Sequence, residues 1–276
     1  MNDWRADQME LPAKGAGGAV RLLLRGGVLG AMTYAGLAVL LVLRAVEGPL
    51  FAPRRPVTPF VTQWVCRMTF PILGMRRVVR GAPLQGPGAI VANHASWLDI
   101  FALNAGARIY FVAKSEVHGW AGIGWLARAT GTVFIARRGV EAKDHKDLLE
   151  RRLHDGHQLL FFPEGTSTDA RRILPFKSSL FAAFMHPDLA PNLRIQPVTV
   201  VYHPPKGIDP RFYGWWGDMG FAAHLAEVLA AARQGTVEVT YHDPVAVADF
   251  PDRKALARHC ETVIRQTFDA AMSSRP

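Results

Sequence analysis

The stretch Ala89-Ile90-Val91-Ala92-Asn93-His94-Ala95-Ser96-Trp97-Leu98-Asp99 contains the first strand-to-helix junction that the sequence predicts. Its four leading residues are apolar and half of them are β-branched, which predicts a buried strand over Ala89–Ala92. The pattern from Trp97 to Asn104 predicts a helix directly afterwards. In α/β proteins chemistry collects where strands end and helices begin, so the polar residues of this junction are candidate site residues.

The same alternation of strands and helices continues along the chain. Further strands are predicted over Ile109–Ala113, Thr132–Ala136, Gln158–Phe162, Arg194–Val201 and Thr236–Tyr241. Further helices are predicted over Glu141–Leu153, Ser178–Phe184, Phe221–Ala232 and Asp252–Met272. We therefore expect an α/β fold with a mixed, mostly parallel central sheet flanked by helices.

An N-terminal hydrophobic helical hairpin is predicted ahead of this region. Gly26–Leu43 carries no charge, and its length is near the lower end of the roughly 17 to 25 residues that span a bilayer. Phe60–Leu73 follows the proline-rich turn Ala52–Pro56 and suits the return arm of the hairpin. We expect residues 1–75 to associate with a membrane, either spanning it or lying in its interface, and residues 76–276 to form the α/β domain. A buried core helix is the alternative for the first arm.

The composition favours an anionic partner. The chain has 276 residues, 49% of them hydrophobic, with a formal charge of +9 and a pI near 10.0. Such a surface attracts nucleic acid, an anionic bilayer, an acidic carrier protein or a phosphorylated substrate. No basic stretch has the aromatic spacing of a nucleic-acid module, so we expect no nucleic acid. Cys66 and Cys260 are far apart and form no CxxC motif, which excludes a disulfide framework and indicates a reducing compartment.

His94 and Asp99 form the first chemical constellation. A histidine in a strand-to-helix turn can face a cleft, and an aspartate about one helical turn later can curl back to accept the Nδ1 proton. The Nε2 atom is then free to act as a base toward a substrate hydroxyl. The pair has no nucleophile of its own, so the attacking hydroxyl is expected to belong to the acceptor. The alternative is a helix cap in which Ser96 is the N-cap residue and His94 lies on the surface.

The second constellation is the turn Phe161-Phe162-Pro163-Glu164-Gly165-Thr166-Ser167, which also follows a predicted strand. Proline ends the strand, Gly165 lets the backbone turn, and the exposed amides with the Thr166 and Ser167 hydroxyls can cradle an anionic oxygen. Glu164 cannot itself hold a phosphate, so it is expected to orient an arginine or the acceptor hydroxyl. An ordinary turn before a basic loop is the alternative.

Basic residues follow two other predicted strands. Gly131–Arg138 ends in two arginines, and the planar fork of Arg137 matches two oxygens of a phosphate. Lys114 lies just beyond another strand and adds a point charge. The chain has no GxSxG elbow, Walker A loop or HExxH motif.

Three motifs carry a family resemblance: HxxxxD at His94–Asp99, GxxFIxR at Gly131–Arg137 and FPEGT at Phe162–Thr166. In order and spacing they resemble the glycerolipid acyltransferase family, specifically its 1-acylglycerol-3-phosphate (lysophosphatidic acid) acyltransferases. Ile195–Val198 is a looser match to the family's proline-bearing strand. Three ordered motifs are far more specific than any one of them, and the resemblance covers roughly residues 76–205.

The resemblance implies a role for each matching residue. His94 would be the general base and Asp99 its orienting partner, while Arg137 with Glu164 and Gly165 would bind the phosphate. It also implies a cytoplasm-facing acyltransferase domain on a helical base in the cytoplasmic (inner) membrane. The resemblance implies no metal, and no cofactor beyond the co-substrate, which is an acyl thioester of acyl carrier protein (acyl-ACP) or of CoA.

The implied reaction acylates the sn-2 hydroxyl of 1-acylglycerol-3-phosphate to give phosphatidic acid, a step of phospholipid biosynthesis. Direct transfer is expected, because neither cysteine lies near a motif and no activated serine is evident. The expected partners are a lysophospholipid or lyso-ornithine lipid acceptor, acyl carrier protein or a CoA thioester, and an anionic membrane surface. A non-catalytic membrane-lipid-binding protein is the alternative from another class.

Two segments favour a lyso-ornithine lipid acceptor as the alternative substrate. Ser167 stands where many family members have arginine, which removes one phosphate ligand. The segment 211–219, with adjacent tryptophans, is similar to one in proteobacterial branches that include lyso-ornithine lipid acyltransferases. Two predictions suit this segment. It is either an exposed loop, which lies at the membrane interface or forms a lid over the acyl chain, or a packed core turn.

Overall fold

The structure is a computed structural model that describes residues 4, 9, 15–86, 88–120, 122–135 and 142–273. The side chains of residues 114 and 142–146 lie outside that description. Among the described residues, eight strands form one sheet. The strands are β1 Arg76–Arg80, β2 Gly88–Ala92, β3 Tyr110–Lys114, β4 Val133–Ile135, β5 Gln158–Phe161, β6 Arg194–His203, β7 Thr236–Tyr241 and β8 Val245–Ala246.

The sheet is mixed and mostly parallel, which confirms the predicted fold class. Its order is β1-β7-β6-β2-β5-β3-β4, and β8 also pairs with β6. Strand β6 runs antiparallel to β7 and β8, whereas the other neighbouring pairs are parallel. Strands β2 and β5 therefore end at the same edge, and the turns that follow them meet there.

Helices flank this sheet. They are α1 Ala16–Phe51, α2 Thr58–Leu73, α3 Leu98–Asn104, α4 Ile123–Thr130, α5 Ala142–His154, α6 Phe221–Ala230 and α7 Arg253–Ser273. Every residue of β2 is buried, with Ile90 and Ala92 in the core on one face and Ala89 and Val91 in the core on the other. This double burial explains why the strand is apolar throughout rather than alternating.

Most predicted elements agree with the structure to within a few residues. The helical stretch predicted over Ser178–Phe184 is a 3₁₀ helix, Ser178–Met185, in the structure. Strand β1 was not predicted because its sequence, RRVVR, is mostly charged and it pairs at the sheet edge. Strand β8 has two residues, too few to give a periodic pattern.

The N-terminal helices form the predicted hairpin. Helix α1 has 36 residues and an 18-residue window of mean hydropathy 2.0 that is only 22% buried, so it is long and apolar enough to cross a membrane. A Cβ at Gly36 would lie 2.6 Å from Val65 Cγ2, so this glycine allows α1 and α2 to approach closely. Large apolar side chains such as Leu23, Val42 and Leu50 remain exposed on α1. That face suits contact with lipid.

Polar contacts tie the hairpin to itself and to the sheet domain. Glu47, near the end of α1, accepts the N–H groups of Val57 and Thr58 over 2.6 and 3.2 Å and so caps the start of α2. Arg25 donates to carbonyls at the end of α6 over 2.7 and 3.0 Å. Helix α2 ends at Leu73, which packs in the same core as the sheet. The division of the chain at residue 75 stays a prediction.

Candidate active site

The chain leaves β2 at Asn93, whose side chain extends the pairing of β2 with β6. The Asn93 amide nitrogen donates to the Val200 carbonyl over 2.9 Å, and its carbonyl oxygen accepts the Val200 N–H over 2.8 Å. These bonds imitate a further step of the strand ladder and satisfy buried backbone groups. They hold the start of the next turn against the centre of the sheet, where His94 follows.

His94 and Asp99 are in direct contact. The His94 Nδ1 atom lies 2.7 Å from Asp99 Oδ2, and the carboxylate is fully buried while 17% of the His94 side chain is exposed. Asp99 Oδ2 also accepts the N–H groups of Ala95 and Ser96 over 2.8 and 3.0 Å. Asp99 therefore accepts the hydrogen bonds that close this turn, which is the capping role that the alternative prediction assigned to Ser96. The His94 Nε2 atom is the ring nitrogen that is not bound to the carboxylate.

A tyrosine that the sequence analysis missed completes the surroundings of Asp99. Tyr202 lies on β6, and its hydroxyl donates to Asp99 Oδ1 over 2.6 Å. Burial and the nearby carboxylate raise the pKa of the Tyr202 phenol well above its usual value, so it stays a hydrogen-bond donor. In the sequence, Tyr202 is marked only by its place directly after the predicted strand Arg194–Val201. That place does not reveal that Tyr202 contacts Asp99.

The imidazole ring is held on its face as well as at its edge. Its centroid lies 4.0 Å from that of Phe162, with the two planes 12° apart. Phe162 stacks in turn on Phe111 at 6.0 Å. The Thr168 N–H donates to the His94 carbonyl over 3.0 Å. The His94 side chain thus has the fixed orientation that a catalytic base requires.

Glu164 joins two loops through backbone hydrogen bonds. Its Oε1 accepts the His94 N–H over 2.7 Å, and its Oε2 accepts the Leu174 N–H over 2.6 Å. The residue is 2% exposed, and burial raises the pKa of its carboxyl to about 8 despite the two hydrogen bonds. Both carboxylate oxygens are engaged with the backbone, whereas the sequence predicted contacts with an arginine or the acceptor. The contacts that the structure shows connect the His94 turn to the FPEGT turn.

Replacement of Glu164 with Gln is expected to weaken the pH dependence of stability. The folded-state pKa near 8 lies above the ordinary value of 4.5, so folding retains a proton that the unfolded chain releases between these values. The contribution of Glu164 to the free energy of unfolding is fully present below about pH 4.5 and is lost as the pH rises toward 8. The change amounts to roughly 1 to 4 kcal/mol. Thermal unfolding in detergent between pH 5 and pH 8 should show a shallower decline for Glu164→Gln than for the wild type.

Asp188→Asn is the control for this comparison, because the Asp188 side chain is 77% exposed. Its pH profile should follow that of the wild type. If the wild type, Glu164→Gln and Asp188→Asn all lost stability equally with rising pH, Glu164 would not be the group with the raised pKa.

The turn after Glu164 requires glycine. Gly165 has a φ of +71°, and a Cβ there would lie 2.7 Å from Lys177 Nζ. The Gly165 N–H donates to the Phe162 carbonyl, while Thr166 is exposed at the turn. The ammonium group of Lys177 therefore lies against this turn. The sequence analysis did not identify Lys177, because it lies well beyond the motif.

Two predicted head-group ligands, Lys114 and Arg137, lie at the end of β3 and beyond the end of β4. Lys114 is the last residue of β3, and its side chain lies outside the described residues. Arg137 also lies outside the described residues, and β4 ends at Ile135. The parallel pairing of β4 with β3 and of β3 with β5 brings the ends of these strands to the edge that carries the FPEGT turn.

The segment 211–219 is a packed turn beside this edge rather than a free loop. Tyr213 and Trp216 are 0% and 4% exposed, and the Trp215 N–H donates to the backbone of the HxxxxD turn over 2.9 Å. The Ser167 hydroxyl donates to the Trp215 carbonyl. Of the two predictions for this segment, the packed turn is the one that the structure supports.

Comparison with known proteins identifies the family. The acyltransferase family model matches residues 76–201. A lyso-ornithine lipid O-acyltransferase from Rhodobacter capsulatus is 58% identical over 248 residues, which cover 90% of each chain. The chain belongs to the acyltransferase family. The enzyme class and the family predicted from the three motifs are thereby confirmed.

Two further proteins are similar to this acyltransferase, one in sequence and one in fold. A 1-acyl-sn-glycerol-3-phosphate acyltransferase from Neisseria gonorrhoeae is 31% identical over 194 residues, which cover 68% of this chain and 72% of that one. The crystal structure of the 1-acyl-sn-glycerophosphate acyltransferase PlsC from Thermotoga maritima has a TM-score of 0.58 at 19% identity and covers 91% of this chain and 99% of that one. At that identity the structural match shows the shared fold alone. In the part of the acyltransferase that the structure describes, no cluster of three or more His, Cys, Asp or Glu residues could hold a metal ion.

Proposed function

We propose that this acyltransferase moves a fatty acyl group from an acyl thioester to the free hydroxyl of a lyso-ornithine lipid. The observation that carries the proposal is the 58% identity, along 90% of the chain, to a relative named for that activity. The 1-acylglycerol-3-phosphate acyltransferase activity, which the sequence analysis placed first, belongs to a relative of 31% identity over 68% of the chain. The acceptor preferred from the sequence is therefore replaced by the alternative, and both are lysolipids.

The surroundings of Ser167 support this acceptor. Ser167 is 9% exposed, and its hydroxyl is bound to the Trp215 carbonyl. It therefore offers no guanidinium and little free hydrogen-bonding capacity at a position where arginine would bind a phosphate. A lyso-ornithine lipid has no phosphate monoester to bind, so the acceptor does not need that ligand.

In the proposed mechanism His94 is the general base. Its Nε2 takes the proton of the acceptor hydroxyl while the hydroxyl oxygen bonds to the thioester carbonyl carbon. Asp99, 2.7 Å from Nδ1, stabilises the imidazolium that forms. The C–S bond then breaks, and the proton on Nε2 passes to the leaving thiolate. Tyr202 positions Asp99 through its hydroxyl.

The tetrahedral oxyanion needs N–H donors, and the described hydrogen bonds narrow the choice. The amides of Ala95 and Ser96 already donate to Asp99, and that of Gly165 donates to the Phe162 carbonyl. Thr166, the next and exposed residue of the turn, supplies the donor in this mechanism.

Direct transfer without an acyl-enzyme fits the cysteines. Cys66 and Cys260 are both buried, and burial raises the pKa of the Cys260 thiol to about 12. A buried thiol with so high a pKa is a poor nucleophile. The acceptor hydroxyl therefore attacks the donor itself, and the donor is acyl-ACP or acyl-CoA.

Cations near the FPEGT turn are proposed to bind the acceptor head group, whose ornithine has one carboxylate. Lys177 lies against Gly165, and Lys114 ends a strand at the same edge. Arg137 stays in the proposal on the strength of its motif. Glu164 and Gly165 shape the turn that carries these contacts.

The site of action is proposed to be the cytoplasmic face of the inner membrane. The apolar exposed face of α1 supports membrane association, and the absence of a CxxC or disulfide pattern suits a reducing compartment. The basic surface, with a formal charge of +9, suits an anionic leaflet.

A side-by-side assay of two acceptors tests the proposal. Purified protein in detergent is given acyl-ACP or acyl-CoA with either lyso-ornithine lipid or lysophosphatidic acid, and the products are identified by mass spectrometry. We expect kcat/KM to be about tenfold or more higher for lyso-ornithine lipid, since a head group that leaves polar contacts unmade loses at least about 1.4 kcal/mol of binding.

The other outcomes are equally informative. Equal or greater activity on lysophosphatidic acid would return the acceptor to the first prediction. Binding of both lipids without any acyl transfer would favour the non-catalytic lipid-binding alternative.

A further inference from the structure

A second, basic cavity lies at the opposite edge of the sheet from His94. Its volume is about 770 Å³, and its walls come from the loops before β2, β3 and β5 and from the start of α2. His94 and Glu164 instead follow β2 and β5, which run parallel. Because β2 has five residues, at about 3.3 Å each, roughly 16 Å of sheet separates the cavity from the active site.

The cavity collects positive charge with little to balance it. Arg54, Arg55, Arg67 and Arg108 line it, and Asp155 is the sole acidic side chain among its described lining residues. Within the described part of the chain, none of these four arginines forms an ion pair. Burial, and then the neighbouring Arg44 guanidinium, lower the pKa of the Arg55 guanidinium, against weaker opposing effects of Tyr110 and Glu47. An anion in the cavity would favour the charged form of Arg55.

The guanidinium groups are held in place by neutral partners. Arg67 Nε donates to the Ala105 carbonyl over 2.8 Å, and Arg55 donates to the Ala129 carbonyl over 3.2 Å. The Arg108 guanidinium lies 4.3 Å from the centre of the Phe60 ring. An arginine has five N–H donors, so each group keeps further donors for a ligand while its orientation is fixed.

A buried histidine in the cavity wall supplies an independent sign of a ligand. His157 lines the cavity and is 7% exposed, yet neither ring nitrogen makes a hydrogen bond of good geometry among the described residues. Burial, and then the Arg152 guanidinium, lower its pKa to about 4, against weaker opposing effects of the Asp155 carboxylate and the Pro53 carbonyl. The ring is therefore neutral near pH 7 and offers one donor and one acceptor. A buried imidazole that makes no hydrogen bond of good geometry is uncommon and requires an explanation.

We propose that this cavity binds the phosphate of an anionic phospholipid head group. Planar guanidinium forks pair with phosphate oxygens, and the cavity presents several of them around one space. The hairpin carries apolar side chains near this cavity: Phe60, on the first turn of α2, lies against the Arg108 guanidinium, and Phe51, Phe60 and Trp64 are each more than half exposed. Apolar side chains beside a cationic cavity match a lipid, whose acyl chains lie next to its charged head group.

A lipid bound there would anchor the hairpin turn to the sheet domain. The cavity walls include Arg54 and Arg55 of that turn together with Arg108 and His157 of the sheet domain. A shared phosphate would join the two parts at the edge away from His94. The site is thus distinct from the acceptor site, and its loss is separable from loss of catalysis.

Native mass spectrometry of the full-length protein in detergent tests this site. The protein is titrated with phosphatidylglycerol, with phosphatidylcholine and with inorganic phosphate. We expect the wild type to retain one phosphatidylglycerol at concentrations at which phosphatidylcholine is not retained. Arg67→Gln combined with Arg108→Gln should weaken that binding by about tenfold or more, since two charge-assisted contacts are lost.

The matched control is Arg253→Gln combined with Arg258→Gln, which removes the same charge from exposed positions on α7. It should bind phosphatidylglycerol as the wild type does. Arg54→Glu, a change at an exposed position of the turn, repeats the test if the double variant does not fold.

Three results would overturn the proposal. The first is equal retention by the cavity variants and the control, which would place the lipid elsewhere. The second is displacement of the lipid by inorganic phosphate at equal concentration, which would make the cavity a site for free phosphate. The third is binding of an acidic carrier protein, and not of lipid, that the cavity variants abolish.

Discussion

Replacement of His94 with Ala is expected to reduce kcat for acyl transfer by roughly 10²- to 10⁴-fold, because it removes the proposed general base. The ring is bound to a buried carboxylate through Nδ1 and stacked on Phe162, so its position is fixed by contacts that belong to His94 alone. The measurement is the rate of product formation from lyso-ornithine lipid and an acyl thioester by purified protein. KM for the acceptor should change little, since the histidine acts in the transition state.

His186→Ala is the matched control for this prediction. His186 contacts Asp188 on the surface, and its side chain is 30% exposed. This variant should keep wild-type activity, and both variants should unfold near the wild-type temperature. Retained activity in His94→Ala would remove the base from the mechanism.

Replacement of Asp99 with Asn is expected to lower kcat by roughly 10²- to 10⁴-fold while the protein still folds. The amide can keep its oxygen toward the His94 ring and the turn amides and present its nitrogen to Tyr202, whose hydroxyl can also accept. What the change removes is the negative charge that stabilises the imidazolium. Acyl-transfer kinetics together with thermal unfolding separate this loss from a loss of structure.

Tyr202→Phe is the comparison that isolates the charge. It deletes the hydrogen bond to Asp99 Oδ1 but keeps the Asp99 side chain beside His94. Its kcat should fall by only about tenfold, the size of one hydrogen bond to a charged group. Equal losses in Asp99→Asn and Tyr202→Phe would show that the geometry of the pair, rather than its charge, limits the reaction.

Much of the fold was predictable because its strands are buried on both faces. The continuous apolar run of β2 and the alternating helices identify an α/β sheet without further information. Strand β1 was not predicted because an edge strand need not be apolar. The apolar pattern of Ser178–Met185 is similar for an α-helix and a 3₁₀ helix, so the sequence could not distinguish the two. The position of β7, parallel to β1 on one side and antiparallel to β6 on the other, likewise depends on pairing between distant segments.

The candidate site was predictable only where its parts are close in sequence. His94 and Asp99 are about one helical turn apart, so spacing alone brings them together. The roles of Glu164 and Tyr202 depend on backbone amides and a carboxylate that come from other strands. The three motifs did not distinguish between acceptors, and the relatives of this chain include proteins named for two different lysolipids.

The sequence by itself determined an α/β fold with an apolar N-terminal hairpin and a His94–Asp99 pair, because those features follow from local spacing and apolar patterning. The acyltransferase prediction came from the resemblance of its three motifs to a known family. Only the tertiary structure decided that Tyr202 and Glu164 hold that pair, and that arginines without an ion pair among the described residues line a cavity with His157 at the far edge of the sheet. The physical reason is that burial and hydrogen-bond partners are set by strand order and register, which join residues more than one hundred positions apart.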